Sequence, residues 1–518
     1  RRKDMKDITH RINRRDFIKQ SALGGLALAT VPSWGKGLLA LEEKGEALPF
    51  IDHFQVSNED MQKILSAALS KGGDFAELYF EYSLNDRIQL EEHIIKSATQ
   101  GINMGLGVRV LSGEKTGYAY TEDLAFEKMK EAALTAALIA SGPTKVKVAA
   151  ITPKKVSNFY PVQQPVHNAA VDAKLKLIND ADNAASQYDS RIKKVTVYFI
   201  DDIRYIMIAN SEGVLAKDTQ PMVRLFVNCI SEDKGERRSV FEGKGGRLGM
   251  ELFKKHPSKD IATEAAKIAI KMLDAKDAPA GPQTVILAAG EPGVIIHEAI
   301  GHGLEADFNR KKTSAFADRI GEKVASELVT IRDGGAFKNL RGSINIDDEG
   351  TPSGDTVLIE NGILRGYMQD LLSAKLMKAK PTGNGRRESF NHYPIPRMTN
   401  TYMANGTSDP EEIIKSVKKG VYAKSFAGGQ VDITNGKFVF MSVEAYLIED
   451  GKITAPIKDA TLIGDGPTIL TKIDMLGNDF SWGNGTSTCG KAGQGVPAGI
   501  GMPTVRISEL LVGGTSKG

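Results

Sequence analysis

The stretch TVILAAGEPGVIIHEAIGHGLEADF, residues 284–308, reads as a strand, a turn and a helix bearing two histidines and a carboxylate. Thr284–Ala288 is β-branched and apolar, the pattern of a buried strand. Gly290, Pro292 and Gly293 mark a turn, and Pro292 suits a first helical turn. Val294–Leu304 is a mostly apolar helix. His297 and His302 are five residues apart, not the four that put both zinc-peptidase histidines on one helix face. At about 100° per residue, five residues place the second ring about 140° from the first. A regular α-helix cannot aim both at one ion, whereas a π-bulge winds more residues into a turn. The spacing therefore predicts a bulged or broken helix between Ile300 and Gly303, eased by the backbone freedom of Gly301. The alternative is two structural histidines bonded to backbone, with Glu298 at the surface.

Outward from this stretch the two halves differ. Toward the N-terminus, Ser57 caps a helix through Ser70, with Met61, Ile64, Leu65 and Leu69 on one face. Phe75–Tyr82 and Arg87–Ile95 read as strands, and Gly105–Leu111 with Thr116–Thr121 as a hairpin. Thr121 is the expected cap of a helix through Ile139. Gly101, Gly105 and Gly107 do not form a nucleotide loop, because a strand follows them. Residues 142–165 wrap between elements. Ala169–Gln187 and Lys259–Leu273 read as helices; Arg191–Asp201, Tyr205–Asn210 and Met222–Ser231 read as strands. Toward the C-terminus, Phe308–Ala317 is a polar loop. Beyond it come glycine-spaced strands at Leu328–Arg332, Ile344–Ile346, Thr356–Glu360, Ile363–Met368, Thr401–Met403, Gly436–Leu447 and Thr504–Val512. Asn361-Gly362 and Asp450-Gly451 are tight hairpin turns. The fold class is α+β: an N-terminal mixed α/β domain over 56–282, then a β-rich C-terminal domain over 283–518, with the motif helix at the junction.

Residues 1–19 hold eight Lys or Arg against three acids, more than the whole formal charge of +3. The remainder is close to neutral and offers no electrostatic case for nucleic acid. Arg14-Arg15-Asp16-Phe17-Ile18-Lys19, followed by a short apolar run and Ala27-Leu28-Ala29, resembles a twin-arginine export signal. The reading is a leader over 1–29, a linker over 30–55, and a periplasmic protein with no membrane span in its mature part. Cys229 sits in a strand-like run as an inert thiol; Cys489 sits in a glycine-rich loop. A disulfide between them is compatible with an oxidising compartment.

A catalytic zinc takes three protein ligands and keeps one open position. His297 and His302 supply two; Glu305, Asp307 and Cys489 are candidates for the third. Glu298 is then free to act as general base on zinc-bound water. Glu305 and Asp307 also suit partners of a ligating imidazole. Arg386 suits a peptide cleft, a dimer anchor or a salt bridge. Asp347-Asp348-Glu349 reads as a solvated strand end rather than a site for a hard cation, and His392 as structural.

Several long blocks resemble the TldD/PmbA family of zinc metallopeptidases, in its metal-bearing TldD-like branch. They are HEAIGHGLEADFNR (297–310), DDEGTPSGDTVLIENGILRGYMQD (347–370), PTGNGRRESF (381–390), PRMTNTYM (396–403), GGQVDITNGKFVF (428–440) and CGKAGQGVPAGIGMPTVRI (489–507). The resemblance implies Zn2+ held by His297, His302 and Cys489, with Glu298 as catalytic base in peptide-bond hydrolysis. It also implies a dimer, either with itself or with a metal-free family member. A twin-arginine leader departs from typical cytoplasmic members. Two other functions fit the same fold: a non-catalytic partner or scaffold subunit, and a zinc hydrolase of another amide.

Overall fold

The structure is a computed structural model that describes residues 48–432 and 434–514. The leader at 1–29 and most of the linker expected over 30–55 lie outside the described residues. Among the described residues, no helix is long and apolar enough to cross a membrane.

The N-terminal half is built on one antiparallel sheet of long strands. In spatial order they are Lys115–Thr121, Ile94–Ser112, Phe75–Glu91, Ile192–Asn210 and Val214–Asp233, the last also pairing with Glu236–Gly246 and a short strand at Thr152–Pro153. Two pairs of strands expected to be separate are continuous. Phe75–Glu91 carries Ser83-Leu84-Asn85-Asp86 straight through, because Asn85 is paired on both sides, with Gly101 and with Asp202. Pairing on both edges outweighs local turn chemistry. The chain turns instead at Glu92-His93, both in the left-handed region. Ile192–Asn210 likewise runs through. Asn210 then closes the turn expected at Ser211-Glu212-Gly213, accepting from the Glu212 and Val214 amides at 3.0 and 3.1 Å.

Alternation along these strands sorts the two faces. Ala76, Leu78 and Phe80 with Val195, Val197 and Phe199 lie under helices Asn58–Ala68, Phe126–Ile139, Val171–Ser186 and Ser258–Lys271. Tyr79, Ile206 and Ile208 face the other way, onto Ile346 and Phe390 of the C-terminal half. The Ser57 hydroxyl caps its helix as expected, accepting from the Asp60 amide at 3.1 Å. Thr121 does not cap: it accepts from the Asp123 amide, and the helix starts later, at Phe126, with no side-chain cap.

In the C-terminal half, Gly281–Leu287 lies between Lys419–Asp432, parallel, and Val505–Gly513, antiparallel. Val505–Gly513 pairs with Thr461–Asp465, and that strand with Lys437–Glu449. Lys437–Glu449 pairs back onto Lys419–Asp432, so five strands close a ring with no free edge between them. A second sheet runs Ile363–Leu364, Asp355–Glu360, Ile331–Gly334, Asn400–Met403, Gly499–Met502 and Ser481–Trp482. Asn361-Gly362 and Asp450-Gly451 are two-residue turns with both residues at positive φ, between the pairs Glu360–Ile363 and Glu449–Lys452. Ile344–Ile346 is not a strand; Ile346 makes one bridge, to Pro352. Phe308–Arg310 finishes a short helix before the expected loop. The helix that leaves Gly281–Leu287 packs between the ring and the second sheet, burying Ile295, Ile296, Ala299, Ile300 and Leu304.

Candidate metal centre

The motif helix changes winding twice. Gly293–Ile296 is α-helical, His297–Gly301 is a π-turn and His302–Leu304 is a 3-10 turn. The amide of His302 donates to the carbonyl of His297, so the five-residue bond of the π-turn joins the two histidines themselves. The expected distortion at 300–303 is present but begins earlier, at His297. The reason for Gly301 also differs. Its backbone is ordinary helix, with φ −56°. A Cβ there would stand 2.1 Å from the Met398 sulfur, so the glycine serves close packing rather than an unusual dihedral.

This winding turns both rings inward. Their centroids are 5.3 Å apart and nearly perpendicular. Cys489 enters from a hairpin, Thr488–Lys491 with Gln494–Pro497, where a loop was expected. Arg397 holds that hairpin, donating to the carbonyls of Cys489 at 2.6 Å and Gln494 at 3.3 Å. The Cys489 Sγ lies 3.5 Å from His302 Nε2, and the ligand atoms of His297, His302 and Cys489 all lie within 4.8 Å of one another. Tetrahedral zinc with ordinary Zn–N and Zn–S lengths sets sulfur and nitrogen about 3.6 Å apart. All three side chains are buried, and His297 Nδ1 has no hydrogen-bond partner. The residues present therefore fit a zinc ion with a fourth position left open.

The surrounding charges agree with that fit. Burial alone would push the Cys489 thiol up, but His297 and His302 outweigh it and hold it well below the usual thiol range. Burial opposes charge on His302, yet Glu305 and Cys489 raise it well above an ordinary imidazole. The cluster stores proton charge between a sulfur and two rings where a cation belongs. His302 Nδ1 is hydrogen-bonded to Glu305 Oε2 at 3.0 Å, which fixes the ring and leaves Nε2 toward the sulfur. Burial works against the Glu305 charge, but Lys491 and His302 pull its carboxyl down to about 2. Glu298 Oε2 is 3.8 Å from His302 Nε2, and its side chain is only partly buried.

The remaining candidates fall elsewhere. Asp307 accepts from Lys491 Nζ at 2.7 Å rather than from a ligand. Arg386 is buried and donates to the carbonyls of Met398 and Pro497 at 2.6 and 2.7 Å, so it braces the backbone instead of lining an open cleft. Asp347, Asp348 and Glu349 are all buried, which corrects the solvated strand end. Glu349 meets Arg109 Nη2 at 2.5 Å; Asp348 accepts from the Arg387 amide at 2.8 Å; Asp347 accepts from the amides of Glu349, Thr351 and Gly385. The His392 carbonyl accepts from Arg387. Cys229 is buried in its strand, its thiol pushed up by burial to about 12, and both cysteines are free. Sequence reasoning missed Lys491, which donates to Glu305 at 3.0 Å and to the Pro396 carbonyl at 2.9 Å. Its position two after Cys489 on one strand face was the available signal.

Comparison with known proteins gives a consistent picture. The PmbA/TldA metallopeptidase domain 1 model matches residues 76–140, the central domain 165–273 and the C-terminal domain 280–514. The Metalloprotease TldD homolog of Haemophilus influenzae is 44% identical, over 89% of this chain and 97% of its own. The Zinc metalloprotease TldD homolog of Saccharolobus solfataricus is 27% identical, over 88% of this chain and 100% of its own. Among solved structures, TldE from Thermococcus kodakarensis superposes with a TM-score of 0.69 at 19% identity, covering 88% of this chain and 99% of that one. A candidate gyrase modulator from Thermotoga maritima gives 0.72 at 23% identity, covering 88% of this chain and 100% of that one, a likeness of fold.

Proposed function

The chain belongs to the PmbA/TldD metallopeptidase family, and from that premise we propose that it is a zinc-dependent peptidase cutting peptide bonds in peptides or unfolded polypeptides. The observation that carries this reading is the convergence of His297, His302 and Cys489 within 4.8 Å, with the Glu298 carboxylate beside them. Zinc held by these three residues would supply a Lewis acid for the scissile carbonyl and make water a nucleophile near neutral pH. Glu298 receives the proton of the attacking water and delivers it to the departing amine. Glu305 keeps the His302 ring from rotating, and Lys491 keeps Glu305 ionised and in place. An extended substrate binds by main-chain hydrogen bonds in the manner of an added strand, which supports broad sequence tolerance.

A scaffold role for the same fold would not require this ligand set, so the three donors favour a catalyst. Hydrolysis of another amide, such as a cell-wall peptide, shares every element of the chemistry. As part of the same proposal, the protein is exported by the twin-arginine route to the periplasm and pairs with itself or with a metal-free relative. The deciding experiment is mass-spectrometric analysis of a mixed peptide pool and of wall fragments, with and without chelator. Chelator-sensitive cleavage of peptides is expected, together with loss of metal and cleavage in Cys489→Ala. Metal-free protein that cleaves equally well would end the proposal.

A further inference from the structure

Wholly or partly buried arginines lie between the N-terminal sheet and the C-terminal half, and some of them lack an acid. Arg109, Arg204 and Arg387 each form an ion pair with a glutamate. Arg224, Arg247 and Arg341 form none among the described residues, although Arg247 is 1% exposed and Arg341 3%. Arg341 donates Nε to the Ser487 carbonyl at 2.7 Å and Nη2 to the Thr488 hydroxyl at 3.0 Å, and its Nη1 is left buried without a partner. The Nε atoms of Arg224 and Arg247 are buried and unpartnered as well, as are those of the glutamate-paired Arg109, Arg204 and Arg387, so the mark of this group is Arg341 Nη1 and the missing ion pairs. Their guanidiniums stack on Phe226 and Tyr160, at 5.5 and 5.1 Å from the ring centroids. All three cations lie close enough to interact, and the acid in their midst, Asp202, is bonded to none of them.

A buried guanidinium stays charged, and three kept together around one acid that bonds none of them are costly unless a further anion joins them. Thr488, which Arg341 holds, immediately precedes Cys489. A niche lined by Leu340, Trp482, Gly483, Ser487 and Ala498 reaches Arg341. We propose that Arg341, with the charges of Arg224 and Arg247 behind it, forms a subsite for a carboxylate of the peptide substrate, beside the Cys489 hairpin. The inference rests on the peptidase reading and narrows its substrate class. The planar donor fork of arginine matches a carboxylate in two-point contact. An unmodified peptide carries carboxylates in two places, its C-terminus and its Asp or Glu side chains.

The test uses the full-length zinc-loaded protein and one peptide in three forms: free C-terminus without acidic residues, C-terminal amide without acidic residues, and C-terminal amide with one internal Glu. At least one carboxylate form is expected to show a KM about tenfold below that of the neutral amide. A lower KM for the free acid assigns the C-terminus; a lower KM for the Glu peptide assigns the side chain. Arg341→Met and Arg247→Met should each raise KM for the preferred form and erase the preference, with a much smaller change in kcat. Arg341→Lys and Arg247→Lys, which keep the charge but lose the fork, should weaken the preference, and they serve if the Met variants do not fold. Equal KM for all three peptides overturns the subsite, as does a preference that survives these substitutions. Fluorescence anisotropy of the same peptides on metal-loaded Glu298→Gln reads the discrimination without turnover. Absence of any hydrolysis therefore counts against the peptidase reading, and absence of discrimination counts against the subsite.

Discussion

Two buried clusters of ionisable side chains differ in how completely they satisfy themselves. Around Arg109, every acid meets a base or an amide: Glu77 and Glu349 share Arg109, Glu77 also meets Arg387, and Asp348 accepts from the Arg387 amide. Around Cys489, three donors point at one another, and His297 Nδ1 is buried with nothing to bond. The first cluster ties the N-terminal sheet to the C-terminal half and pairs its acids within the chain, although Arg109 Nε and Arg387 Nε are left without partners. The second is complete only with an added cation. Unpartnered buried atoms occur in both clusters, so what sets the second apart is three metal-ligating side chains converging within 4.8 Å.

The sharpest test of that contrast is at Glu298. Glu298→Gln should retain one metal per chain by mass spectrometry and lose about 10²–10⁴ in peptide turnover. Retained turnover would remove Glu298 as the base and leave the cluster a metal holder only. At the Arg109 cluster, Arg109→Met leaves Glu349 with the Leu371 amide but no cation and halves the support of Glu77. Denaturant unfolding should show a loss of about 3–5 kcal/mol, with metal content unchanged. A stability change below about 1 kcal/mol would mean the network is not what joins the two halves. A smaller effect is expected at the orienting carboxylate. Glu305→Gln should weaken zinc binding about 10–100-fold in a chelator competition, because His302 Nδ1 loses its charged partner.

The smallest effect concerns a carboxyl that neither cluster satisfies. Burial, reinforced by the Glu291 charge, pushes Glu242 up from 4.5 to about 7. The folded chain therefore binds more protons than the unfolded one between these values. The Glu242 contribution to stability is fully present below about 4.5 and is lost as pH rises through about 7. Melting temperature followed from pH 4.5 to 8 should fall more steeply in the wild type than in Glu242→Gln. Parallel curves would show that this carboxyl ionises freely in the folded protein.

How much of this was legible varies by region. Turns with an obligatory backbone, Asn361-Gly362 and Asp450-Gly451, could be read directly, because positive φ at both central residues leaves few alternatives. Strand continuity could not. Ser83-Leu84-Asn85-Asp86 has turn composition and is held straight by neighbours on both sides. Arg386 and the acids at 347–349 look like surface residues, and only their partners reveal that they are buried. Arg109, which pairs with Glu349 of that acid run, lies 240 residues upstream.

By itself the sequence determined the winding of the motif helix. Two histidines five apart can share an ion only if the helix is underwound locally, and that constraint acts over one turn. It also determined the alternating strands and their tight turns, since these depend on neighbours along the chain. Tertiary structure alone decided that the sulfur of Cys489, 187 residues beyond His302, stands 3.5 Å from its ring. It decided equally that some arginines find glutamates and others do not. Long-range pairing depends on which sheet edges and faces meet, and no local spacing encodes that.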